Sequence, residues 1–381
     1  MKFTFHVLGL PHTAINKDYN YCAYSQKLLK FADMMVPRGH SMTLYSNEGA
    51  EVPCENVTIF SESERAQWFG SHDKEKLNHL DWNQTQPYWQ EFNIRCIREL
   101  WKRVKKGDFI LTANGNCAEP VANSFPGSHQ GTQKTVAFVE AFCGYYGTFS
   151  RYRIFESHTH AEWLMGAAGN KGQDTDIAVV PNYWDMRDFP IVKKPDTLKG
   201  VDLTEPYYLF IGRVIHEKGY KIAIEATQAI GARLIIAGQG DPGVLPPHVI
   251  RFGHANNEER NILMQGAVAT LCPTLFREPF GGTAAESQLC GTPSITTDQG
   301  AFAETVLDPW RCNSHKEFVL ACIKAKTVSF DERMYIRARA VSKWSFDAVA
   351  PKFEAYFTRL YSRWFGGWYE MRDLETLELP K

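Results

Sequence analysis

The 381-residue sequence has no apolar run of transmembrane length, no internal repeat, no low-complexity tract and almost no net charge. The first absence excludes a helical membrane span. The next two exclude solenoid and compositionally disordered architectures. A formal charge of −1 gives no whole-surface field for a polyanionic partner, although a local basic patch stays open. The nine cysteines are odd in number and scattered, with no C-x-x-C pair, so neither a disulfide framework nor a zinc site is indicated. Met1 to Leu10 is too short and too interrupted for a signal peptide and reads as a first strand. The expected setting is therefore the reducing cytoplasm.

What is present is the composition of a folded protein, 44% hydrophobic and 13% aromatic, on a chain long enough for two domains. Phe3 to Leu10 reads as a strand and Tyr19 to Val36 as a helix with apolar positions at Tyr24, Leu28, Leu29, Phe31 and Met35. Gly39 to Tyr45 reads as a second strand, so the chain opens β-α-β. Short apolar runs at 108–112, 135–139, 207–211, 233–237, 249–254 and 267–274 suit buried parallel strands. Pro190 to Pro206, rich in Pro, Lys and Asp, reads as a linker. It separates a first domain, 1–190, from a second, 191–346.

The densest chemistry lies in Arg277-Glu278-Pro279-Phe280-Gly281-Gly282-Thr283-Ala284-Ala285-Glu286. Two carboxylates bracket a Pro-aromatic-Gly-Gly turn that opens a helix, and a helix start has unpaired N–H groups and a positive dipole end suited to anions. Upstream, a strand leads into Gly212-Arg213, with Lys218-Gly219 ahead of the next helix. Arg213 offers a fork of donors and Lys218 a point charge, the groups that a pyrophosphate leaving group needs. Gly238 and Gly240, in the turn after the next strand, form a weak nucleotide fingerprint. Arg95, Arg98, Lys102 and Lys105 recur at helical spacing, which reads first as a solvated face and second as a phosphate-facing surface. Asp174-Thr175-Asp176 matches a D-x-D tripeptide of a kind that binds manganese. Its place before a strand makes it a surface turn, and no metal site is expected.

Four segments in order, 180–189, 212–219, 238–240 and 278–286, resemble the motifs of glycosyltransferase family 4, the retaining E-x7-E transferases. The resemblance implies an α/β protein with two facing Rossmann-like domains of GT-B type, a cleft between them, and a C-terminal helix, about 347–381, crossing back to the first domain. A membrane-surface role is the alternative for that helix, given Arg359, Arg363 and Trp368. The resemblance also implies that Glu278 and the backbone of Phe280, Gly281, Gly282 and Thr283 hold the donor sugar, and that Glu286 binds the ribose. Gly212, Gly238 and Gly240 would approach the nucleotide, and Arg213 and Lys218 would neutralise the departing diphosphate without a metal. The expected reaction moves a hexose or pentose from a UDP- or GDP-linked sugar to an acceptor hydroxyl, with no cofactor beyond that donor.

The sequence departs from the pattern in its first domain. Pro11-His12-Thr13-Ala14 replaces a Gly-rich loop, Glu140 stands where a histidine or acid is usual, and Tyr183 replaces a glycine. His12, Glu140 and His158 are the acceptor-side or sugar-side candidates. The acceptor itself stays open: a glycan, a lipid-linked saccharide, a small molecule or, as an alternative, a hydroxylated base in DNA. An inactive nucleotide-sugar binding protein, and a phosphorylase or epimerase, are the competing readings from other classes.

Overall fold

The computed structural model describes residues 1–73, 80–125, 128, 136–167 and 176–364. Its first sheet contains β1 (Thr4–Leu8), β2 (Ser41–Ser46), β3 (Glu55–Thr58), β4 (Asp108–Thr112), β5 (Val136–Cys143), β6 (Tyr152–Phe155) and β7 (Ile177–Val179). All pair parallel in the order β3-β2-β1-β4-β5-β6-β7. A short antiparallel pair, β8 (Thr197–Leu198) and β9 (Val201–Asp202), lies in the stretch expected to be linker. The second sheet contains β10 (Tyr207–Ile211), β11 (Arg233–Ala237), β12 (Val249–Gly253), β13 (Thr270–Cys272), β14 (Ser294–Thr297) and β15 (Arg311–Cys312). Its order is β12-β11-β10-β13-β14-β15, again parallel.

Both sheets are doubly wound α/β layers, the architecture that β-α alternation demands, because each parallel pair needs a crossover on a sheet face. The strand order reverses beside β1 in one sheet and beside β10 in the other. In such sheets the ligand crevice opens at the carboxyl ends of the strands at that reversal. The loops after β1 and β10 are thereby the places from which side chains reach a cleft. The β10 segment Tyr-Tyr-Leu-Phe-Ile is wholly buried, which fits a central strand covered on both faces.

The helix Phe346–Trp364 crosses back as expected. Phe353, Tyr356, Phe357 and Leu360 join the core of the first sheet with Phe3, Phe5 and Phe109. Phe357 lies 4.8 Å from Phe5 and 5.0 Å from Phe109 between ring centres, and Arg38 makes two 2.9 Å bonds to Glu354. The apolar face that could have rested on a membrane is thus used in the core. Trp368 and the rest of 365–381 lie outside the described residues. Among the described residues no helix is long and apolar enough to cross a membrane.

Two expectations from the sequence are corrected here. Asp176 is not part of a surface turn: it is 2% exposed, with Arg151 at 3.1 Å and Arg363 at 2.6 Å on its carboxylate. It ties the crossing helix to the first sheet, while Asp174 and Thr175 lie outside the described residues. Glu140 is likewise interior to β5, fully buried, where it accepts from the backbone N–H groups of Phe149 and Ser150 at 2.9 and 2.8 Å and from the Tyr145 hydroxyl at 3.0 Å. It shapes the loop after β5 instead of facing the cleft. Burial outweighs these bonds and raises its carboxyl from 4.5 to about 7.

Two outcomes follow from this packing. Phe357→Ala should lower the unfolding free energy by about 3–5 kcal/mol, read by urea denaturation, because a fully buried ring leaves a cavity at the seam between crossing helix and sheet. Glu140 binds more protons folded than unfolded between pH 4.5 and about 7, so its contribution to stability falls as pH rises through that window. Glu140→Gln should flatten that limb of a melting-temperature-versus-pH curve and leave nucleotide binding unchanged. A tenfold loss of nucleotide affinity would return Glu140 to the cleft.

Candidate active site

A cavity of about 430 Å³ lies between the two sheets. From the second domain, Gly212 and Arg213 enter it directly from the end of β10, and Lys218 enters from the turn that follows. Gly238 follows β11, and a Cβ there would meet the Gly212 carbonyl oxygen at 2.0 Å, so only glycine lets these two loops touch. The turn Glu278 to Thr283 and Glu286 form the adjoining wall. Gly281, at φ 87°, caps the helix Gly282–Leu289, and a Cβ there would strike the Phe302 ring at 2.5 Å. The left-handed glycine turns the chain sharply enough to bring the helix start to the cavity.

The charges on this wall are organised in pairs. Lys218 Nζ lies 3.0 Å from Glu278 Oε2 and 4.6 Å from the centre of the Phe276 ring. Arg213 has no ion-pair partner among the described residues, so its guanidinium is free to meet an anion. Glu286 is bonded by Arg260 and accepts from Trp184 Nε1 at 3.2 Å. Burial alone would raise the Glu286 carboxyl, but Arg260 and Lys30 and these hydrogen bonds outweigh it and hold it below its usual range. The Lys30 ammonium sits 4.6 Å from the Trp184 ring centre and is lowered by burial to about 8, with Glu286 opposing the shift.

Of the residues expected on the donor side, all but Gly240 border this cavity. Gly240 lies beside it, its carbonyl accepting from Arg251 at 3.0 Å. None of the three first-domain candidates borders it. His12 is buried under its loop with its ring edge toward Phe69, and burial together with Arg65 lowers it to about 3, leaving a neutral imidazole. His158 is exposed at the start of the helix His158–Ala167, where its backbone N–H donates to Glu304 of the second domain at 3.0 Å. Glu140 faces the sheet interior, as described above. On the helix Pro87–Arg103, Arg95 pairs with Glu91 and Glu64, and Lys102 and Arg103 share Glu99. Arg95 and Lys102 of that basic run are thus matched by acids of the protein itself.

The first-domain wall is made instead by Tyr24, Lys27, Lys30, Glu156, Asn182 and Trp184. Reading the sequence missed them. Lys27 and Lys30 lie on the helix Ala23–Met35, whose buried stripe includes Leu28, Phe31 and Met35. A cation inside an apolar stripe is the signal that could have marked Lys27. Asn182 and Trp184 fall in a segment whose resemblance was noted without assigning them a role. The two walls also touch directly: Ser157 Oγ donates to the Pro279 carbonyl at 2.7 Å, and Asn20 Nδ2 donates to the Ala255 carbonyl at 3.2 Å.

Comparison with known proteins agrees with this architecture. Residues 197–310 match the family described as glycosyl transferases group 1. An uncharacterized glycosyltransferase of Methanocaldococcus jannaschii is 31% identical over 122 residues, covering 28% of this chain and 31% of that protein. Glycogen synthase of Mycobacterium tuberculosis is 29% identical over 148 residues, 35% of this chain and 34% of that enzyme. The chain thus spans about a third of the length of these curated relatives. Sucrose-phosphate synthase of Thermosynechococcus elongatus superposes with a TM-score of 0.70 at 14% identity, over 95% of this chain and 100% of that one. Anabaena HepE, solved with UDP and glucose, gives 0.64 at 13% identity, over 93% of this chain and 99% of its own. The fold is therefore that of the GT-B glycosyltransferases, and residues 197–310 of the second domain are similar to the glycosyl transferases group 1 family.

Proposed function

We propose that the chain is a retaining glycosyltransferase that moves a hexose or pentose from a UDP- or GDP-linked donor to an acceptor hydroxyl. The observation that carries this reading is the convergence of Arg213, Lys218, Glu278 and Glu286, from the two connections after β10 and β13, on one cavity at the strand-order reversal. Two carboxylates suit the hydroxyls of a sugar and a ribose, and two cations between them suit a diphosphate. The nine cysteines are free thiols, all but Cys54 buried, which supports a reducing, cytoplasmic setting.

The chemistry follows from the charge pairs. Lys218 is held by Glu278 in this structure. A bound donor exchanges that pair, its sugar hydroxyls donating to Glu278 and its phosphate oxygens receiving Lys218 and Arg213. As the sugar–phosphate bond breaks, negative charge grows on the leaving oxygen, and fixed cations in a water-poor cavity stabilise it most at that moment. The acceptor attacks from the face the diphosphate leaves, and the leaving phosphate takes the hydroxyl proton. These residues supply the charge compensation without a metal.

Arg213→Ala and Lys218→Ala should each cut turnover about a hundredfold or more with the fold intact. Near-wild-type rates in both would remove them from the mechanism. The defining experiment is nucleoside diphosphate release and product mass spectrometry over a panel of UDP- and GDP-sugars with glycan, lipid-linked, small-molecule and hydroxylated-DNA acceptors. Tight donor binding without release would instead identify a nucleotide-sugar binding protein.

A further inference from the structure

Opposite the Glu278 turn, three elements of the first domain bring together an ion pair that the chemistry above does not use. Glu156, at the end of β6, is bonded by the Lys27 ammonium from the helix Ala23–Met35 and accepts from Asn182 Nδ2 at 3.0 Å, after β7. The residues are 8% and 5% exposed for Lys27 and Glu156, yet both border the cavity. Gly144 makes room for the group: a Cβ there would meet Glu156 Oε1 at 2.6 Å. Its carbonyl accepts from Tyr24 at 3.1 Å, and Lys27 lies 4.8 Å from the Tyr24 ring centre. The neighbouring Ser157 hydroxyl donates to the Pro279 carbonyl, which fixes this corner directly against the turn that carries Glu278.

A buried ion pair of this kind is a poor device for stability alone, because well-packed apolar side chains of similar volume would serve the fold as well or better. It is a good device for holding a carboxylate in one orientation. Two of the roughly four acceptor positions of Glu156 are taken by Lys27 and Asn182, leaving the others for a donor in the cavity. The chemistry that such a group recognises is a hydroxyl, and the nearest expected hydroxyls are those of the sugar held by Glu278.

We infer that Glu156 is the first domain's contact to the hydroxyls of the transferred sugar, with Lys27 and Asn182 as positioning residues. The inference rests on the glycosyltransferase reading and deepens it: the donor sugar is gripped from both domains, by Glu278 on one side and Glu156 on the other. The nucleotide half of the donor does not touch Glu156.

Titration calorimetry with UDP, UDP-glucose, GDP and GDP-mannose tests it. For whichever sugar nucleotide the wild type binds more tightly than the matching diphosphate, Glu156→Gln should weaken the sugar nucleotide about tenfold or more. The diphosphate itself should stay within about twofold. Because Glu156→Gln leaves Lys27 without its partner, the double variant Lys27→Met/Glu156→Gln is the control for folding. It should melt near the wild-type temperature and still lack the sugar-dependent gain. A double variant that melts as wild type and binds the sugar nucleotide as wild type overturns the inference, since the pair is then structural. Equal weakening of UDP and UDP-glucose also overturns it. A wild type that binds neither diphosphate nor sugar nucleotide overturns the glycosyltransferase reading itself.

Discussion

Trp184 is the residue on which the two halves of the molecule depend. Its backbone N–H donates to the Trp344 carbonyl at 2.9 Å and its carbonyl accepts from Phe346 at 3.0 Å, so the two passages of chain between the sheets are bonded to each other at this point. Its indole N–H reaches Glu286 of the second domain, and its ring face carries Lys30 of the first. Phe280 and Trp344 pack on the same ring at 6.0 and 6.5 Å. One rigid aromatic thus couples the hinge, the turn that opens the donor-side helix, and the second glutamate of the motif. A ring with only two rotatable bonds does this with little loss of side-chain entropy.

Around that anchor the cavity is lined by ion pairs more than by free charge. Lys218 is matched by Glu278, Arg260 by Glu286 and Lys27 by Glu156, while Arg213 has no acid partner among the described residues. In a partly buried cleft an unpaired charge is costly, so pairing holds these side chains in place. On the proposed function the same pairing allows exchange, because a donor that offers hydroxyls to the acids and phosphate oxygens to the cations satisfies both members of a pair at once.

How much of this could be read from the sequence depended on distance along the chain. Gly212-Arg213 with Lys218, and Glu278 with Glu286, are local spacings in which strand, turn and helix follow one another, so periodicity and turn chemistry sufficed to place each pair on its own turn, and the resemblance to the E-x7-E transferases implied that the two turns share one cleft. The crossing helix was legible for a similar reason: Phe353, Phe357 and Leu360 repeat at helical spacing. Lys27 and Glu156 stand 129 positions apart, and nothing local tells that they meet. His12, Glu140 and His158 failed differently. Each follows or lies within a strand that does point its carboxyl end toward the cleft, but a strand places the residue without saying which way the side chain turns. Burial decided it for His12 and Glu140, and a helix start facing Glu304 decided it for His158. Asp176 read as a turn because its two arginines, Arg151 and Arg363, stand 25 and 187 positions away along the chain.

The Glu278 turn itself is held from three sides, and only one of them is its own helix. Gly300 approaches so closely that a Cβ would meet the Glu278 backbone at 2.4 Å, and the Ala301 N–H donates to the Glu278 carbonyl at 2.8 Å. From the first domain, Ser157 bonds Pro279, while two residues on, Thr159 donates backbone and side-chain hydrogen bonds to Glu304, both at 2.6 Å. Glu304 therefore accepts at the start of a first-domain helix, where a carboxylate is favoured by unpaired N–H groups and the positive end of the dipole. The second domain contributes the carboxylate and the first the helix, so the two domains are bonded to each other directly beside the Glu278 turn. The shape of that turn is thus fixed by residues of both domains at once, by Gly300 and Ala301 from its own side and by Ser157 from across the cleft.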